Sequence, residues 1–248
     1  MKIDFVSHMT IYVLNPTNRF DRFANVTNIF ITDCACVLHF IVQLELDFRL
    51  HFPEAVTKLI NDFPLLTPGI IAAARLSPKC NVVDLLKDYD TQQHASDLNT
   101  RDYTYGILAL LHLLPSSNTR QKGKLSSAEF ESSLVAFKPQ QTSIALFVDA
   151  KKSSTNKQPS LLCIGSKDEP GPFYLILDAK AVSLGDCGTL RALDSLFKAH
   201  FVYWVTYAKC LGLFMEFLQK VVYKIENRKM SRVQELHTCI QSVPSAAN

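Results

Sequence analysis

The chain has 248 residues, 48% of them hydrophobic and 20% charged, a composition that excludes an intrinsically disordered chain and allows one large or two small domains. The formal net charge is only +3, with an isoelectric point near 8.4, short of the basicity usual for nucleic-acid-binding modules. The seven cysteines (Cys34, Cys36, Cys80, Cys163, Cys187, Cys210 and Cys239) are odd in number and follow no disulfide framework, so reduced thiols in a cytoplasmic or nuclear protein are expected.

Residues 1–50 read as an N-terminal extension of uncertain structure. Lys2, Asp4 and His8 interrupt any secretory apolar core, and no small-residue cleavage site follows. The most apolar stretch, Ile29–Leu46, contains Asp33, His39 and Glu45. One carboxylate at mid-membrane costs ~3 kcal/mol, so a buried core segment is expected there and no membrane span. Its periodicity does not separate helix from strand.

Residues 51–115 have helical grammar. Pro53 suits a first helical position, and Val56, Leu59, Ile60 and Phe63 follow at helical spacing up to Pro64. Thr67-Pro68 is expected to open a second helix, with Ile70, Ile71 and Ala74 inward and Pro78 as its stop. A third short helix spans Asn81–Tyr89, and a fourth runs from about Asp102 to Leu114. Residues 116–140, rich in Ser and Lys, read as a polar linker.

Residues 141–241 read as an α+β module. Four strands are expected, at Ser143–Val148, Leu161–Ile164, Phe173–Leu177 and Ala181–Leu184, forming an antiparallel β-meander. Asp-Glu-Pro-Gly-Pro within Lys167–Pro172 is a turn, and Asp178-Ala179-Lys180 is a tight connection. Two amphipathic helices should cover the sheet. Thr189 caps the first, with Leu190, Leu193, Leu196, Phe197, Phe201 and Trp204 on its buried face; the second runs from Thr206 to about Glu226. Val233–Ile240 adds a last helical turn, and residues 242–248 form a loose tail.

Motifs for chemistry are sparse. Cys34-x-Cys36-x-x-His39 and His237-x-Cys239 lack the paired spacing of a zinc site and read as free thiols, so no metal is expected. There is no nucleotide-binding glycine motif, and eight glycines leave little room for phosphate loops, so no cofactor is expected. Cys187, within Gly185-Asp186-Cys187-Gly188 at a helix start, is a place where a thiol pKa could be lowered; a hairpin exit with glycines for φ > 0 is the plainer account. Asp149 after one expected strand, with Asp178 and Lys180 after another, resembles the metal-dependent nuclease pattern of two carboxylates and a lysine. That set is the catalytic alternative; ordinary turn residues are the plainer account. Residues 119–160 and 209–232 each carry a net charge of +4. Neither run interleaves aromatics with its cations, so solvated loops and a cationic helix end outweigh nucleic-acid contact.

Phe173–Ala181, Leu190–Trp204 and Phe214–Gln219 resemble the C-terminal region of a large set of uncharacterised vertebrate proteins, mainly from fish, described as similar to sterile alpha motif domain-containing proteins or as products of mobile-element-derived genes. The likeness covers roughly residues 140–240, with a looser echo in 56–115. It implies no catalytic residues. The sequence expectation is therefore an α+β protein with a non-enzymatic interaction or scaffold role, an unidentified protein partner and no defined oligomeric state.

Overall fold

The structure, a computed structural model, describes residues 34–91, 98–114, 126–152, 158–178, 180–225 and 231–242. Its N-terminal half is helical. Helix α1 spans Cys34–His51, a 3₁₀ turn covers Pro53–Ala55, and α2 (Lys58–Arg75), α3 (Cys80–Thr91) and α4 (Leu98–Leu113) follow. Helix α2 corrects the expectation of two helices broken at Pro64, because it runs through both Pro64 and Pro68. An interior proline removes a hydrogen bond and costs ~3 kcal/mol in isolation. The buried stripe Leu59, Phe63, Ile70, Ile71 and Ala74 offsets that cost by packing on both sides of the prolines.

Helix α5 (Ser127–Leu134) and strand β1 (Val135–Lys138) fall inside the stretch expected to be a linker. Ser126 and Glu129 form a reciprocal capping box: Glu129 N–H donates to Ser126 Oγ at 3.2 Å, and Ser126 N–H donates to Glu129 Oε2 at 2.8 Å. Ser143–Val148, expected as the first strand, lies instead almost wholly in helix α6 (Ile144–Lys152). Strands β2 (Ser160–Ile164), β3 (Phe173–Leu177) and β4 (Lys180–Gly185) match the expected positions.

The sheet order is β1-β2-β3-β4. Strands β2, β3 and β4 form antiparallel hairpins, but β1 pairs with β2 in parallel, with α6 as the crossover. The sheet is therefore mixed, and the expected purely antiparallel meander is corrected. A parallel neighbour needs a long connection, and α6 supplies it. The two faces are unequal. Leu161, Cys163, Phe173, Leu175, Leu177 and Val182 join the large core shared with the N-terminal helices. Leu162, Ile164, Ile176 and Ala181 form a small second core, covered by Ile144, Phe147 and Val148 of α6.

Helix α7 (Gly188–Val202) lies on the large-core face and packs against β2, β3, α1, α2 and α4. Its cap position is Cys187, not Thr189; the Thr189 hydroxyl is buried and shares a 2.6 Å hydrogen bond with Thr104. The expected long last helix is broken into a 3₁₀ turn (Lys209–Leu211), helix α8 (Gly212–Phe217) and a π turn (Leu218–Val222). Tyr223 N–H bonds to Leu218 O at 2.8 Å, which is the wide i→i+5 closure. Helix α9 (Ser231–Ser242) is longer than the single turn expected. It packs on α2 at Gly69, where an added Cβ would meet Ile240 O at 2.6 Å. Among the described residues no helix is long and apolar enough to cross a membrane.

Candidate interaction surface

Three polar clusters tie elements together, two of them joining the helical half to the β2–β3 turn of the sheet. Arg101, buried on α4, bonds Asp168 at 3.3 Å and lies 4.7 Å from the Tyr89 ring centre and 5.2 Å from that of Tyr105. Tyr105 O–H donates to the same carboxylate at 2.9 Å. Beside it, the Glu131 carboxylate takes Lys167 at 2.9 Å and His112 Nε2 at 2.7 Å. Burial pushes the Glu131 pKa up, but the bonds from His112 and Lys167 outweigh it and hold the group below its ordinary range. Asp168 and Lys167 both belong to the β2–β3 turn, so these pairs hold that turn against α4 and α5.

The third cluster joins α1 to α7. Lys198 Nζ is buried, 2.6 Å from Glu45 and 2.7 Å from Asp194. Tyr223 O–H donates to Asp194 at 2.6 Å, and its ring stacks on Phe197 with centres 3.8 Å apart. Burial raises the Asp194 carboxyl above its ordinary range, against the pull of Lys198 and Tyr223. A lysine and two carboxylates in contact can look catalytic. Here Lys198 is sealed between α1 and Asp194, so the group fixes helix position.

The residues of the nuclease alternative sit as follows. Asp149 lies in helix α6 and not at a strand end; it is exposed and pairs with Lys152 at 2.8 Å. Asp178 occupies the exposed β3–β4 turn with φ of 44°, a value that Asp tolerates better than most residues. Lys180 begins β4, paired with Leu177. The strand-end placement that motivated a role for Asp149 is thus absent. Among the described residues no group of three or more His, Cys, Asp or Glu side chains could hold a metal ion. The side chains of Cys34 and Cys36, and the cations Arg228 and Lys229, lie outside the described residues. His39 is exposed on α1, and His237 lies edge-on to Phe217.

Cys187 lines a cleft of about 230 Å³ with Tyr103, Thr100, Pro64 and Arg191. Gly185 and Gly188 take φ of 65° and 74°, as the plainer hairpin-exit account expects, and burial pushes the Cys187 thiol up to about 11. Such a thiol is protonated at neutral pH and is a poor nucleophile. The five described cysteines, Cys80, Cys163, Cys187, Cys210 and Cys239, are free.

What the polar groups leave over is apolar and outward. On α1, Leu44 and Phe48 are buried, at 2% and 0% exposure. On the other side of the same helix Leu38, Val42, Leu46 and Leu50 are 62%, 47%, 45% and 82% exposed. A spacing of four residues places them in one oblique row ~18 Å long. At its C-terminal end stands Trp204, its ring edge-on to His51 at 6.5 Å. Trp204 was expected on the buried face of α7. It lies beyond that helix, 66% exposed, with φ of 53°. A left-handed backbone costs a non-glycine residue ~1 kcal/mol, yet a tryptophan occupies it. No family model, no curated protein and no solved structure matches the chain.

Proposed function

We propose that this chain is a non-enzymatic interaction or scaffold protein of the cytoplasm or nucleus, and that the outward row of α1 is the surface through which it binds. The observation that carries this reading is the row itself. Helix α1 carries apolar side chains outward as well as inward, and contiguous exposed apolar patches mark interaction sites. The free cysteines agree with a reducing compartment. The described polar clusters agree with a non-enzymatic role, since each is engaged in holding elements together. The resemblance of residues 140–240 to products of mobile-element-derived genes makes such an origin part of the proposal.

The test is affinity capture from cells with the full chain and with Leu46→Glu. The reading expects a reproducible protein partner that Leu46→Glu loses. Recovery of no reproducible partner, or the same partners with both chains, would count against it.

A further inference from the structure

The row on α1 also constrains what can cover it. It consists of four aliphatic side chains at equal spacing, Leu38, Val42, Leu46 and Leu50. Such a row is complementary to itself when reversed: Leu38 lies beside the second copy's Leu50, and Val42 beside the second copy's Leu46. Rows at i±4 run parallel to each other when two helices cross at about −50°, the commonest packing class. We infer that the outward face of α1 is a homodimer interface, with two copies packed antiparallel about a two-fold axis between Val42 and Leu46. This inference rests on the interaction reading above and names the partner as a second copy of this chain.

Charge permits the contact. Glu45 is turned inward to Lys198. Asp47 accepts a hydrogen bond from Gln43 at 2.7 Å, and Arg49 supplies an opposite charge nearby. Two copies therefore bring no excess of one sign together. Area sets the strength. At the exposures stated above, the four side chains of the row offer a few hundred Å² per copy. Two copies together fall short of the ~1,200 Å² at which standard specific interfaces begin, so the dimer is a weak, reversible one.

The experiment is sedimentation velocity on the full chain from ~1 to ~200 μM, the upper end being high enough to populate a weak dimer. The wild-type mass should rise from one chain of 27.9 kDa toward twice that value. Leu46→Glu and Val42→Lys should each stay at one chain with unchanged circular dichroism and, below ~1 μM where wild type is also monomeric, an unchanged melting temperature, since both positions face outward. An equimolar mixture of the two variants should regain dimer mass, because the new cation of one copy then faces the new carboxylate of the other. A wild-type chain that stays monomeric throughout, a dimer that survives Leu46→Glu, or a mixture that stays monomeric would overturn the antiparallel dimer. A monomeric wild type that still loses a captured partner on Leu46→Glu would overturn the dimer alone and leave the broader reading standing.

Discussion

Helices α1 and α7 pack side by side and use their apolar residues differently. Helix α7 directs Leu190, Leu193, Leu196 and Phe197 into the core, and even its polar Thr189, Lys198 and His200 are buried. Among its described side chains, helix α1 buries Leu44 and Phe48, with help from Phe40, and carries a second apolar row to the outside. The difference teaches that apolar content does not by itself locate a core. In α7 the core takes it in; in α1 four of the described apolar side chains stay exposed.

That contrast can be broken from the α7 side first. Phe197→Ala removes a fully buried ring that stacks on Tyr223 and meets Phe48 and Phe201. Large-to-small changes of this kind cost ~3–5 kcal/mol, and urea denaturation should show a loss of that size. A loss below ~1 kcal/mol would contradict the assignment of α7 to the centre of the core.

Acid should act next, through His200. Its Nδ1 bonds Val205 O at 3.1 Å, while Nε2 is buried without a partner. Burial lowers its pKa from 6.5 to about 4. The folded value is depressed, so the unfolded chain takes up the proton first. The contribution is intact above pH 6.5 and is lost as the pH falls toward 4, to a total of ~3 kcal/mol. His200→Gln should remove that part of the pH dependence. Parallel stability curves for wild type and His200→Gln between pH 7 and 4 would contradict it.

Much of the architecture was legible from residue order, for identifiable reasons. Helix α3 carries a clean apolar stripe, α4 is a longer apolar run buried on nearly every side, and β2, β3 and β4 are short β-forming runs bounded by Pro, Gly and Asp. Helix α6 was misread because Ile144–Val148 is rich in β-formers, although Ile144, Phe147 and Val148 also stand at helical spacing and cover one small sheet face. Helix α2 was split because the proline penalty is local while the packing that offsets it is tertiary. Two signals were present and went unread. Ser126-x-x-Glu129 spells the capping box of α5, and the four-residue spacing from Leu38 to Leu50 spells the α1 row. The set Asp149, Asp178 and Lys180 depended on a strand before Asp149, and it loses that support once α6 is a helix.

The central claim is that the two faces of α1 do different work, and one pair of variants tests it within a single helix. Phe48→Ala and Leu46→Ala are compared by urea denaturation at a chain concentration below ~1 μM, where a weak dimer has dissociated. The account predicts a loss of ~3–5 kcal/mol for Phe48→Ala and a change within ~0.5 kcal/mol for Leu46→Ala. Losses of similar size would mean that the outer row is covered within its own molecule, and would contradict the account.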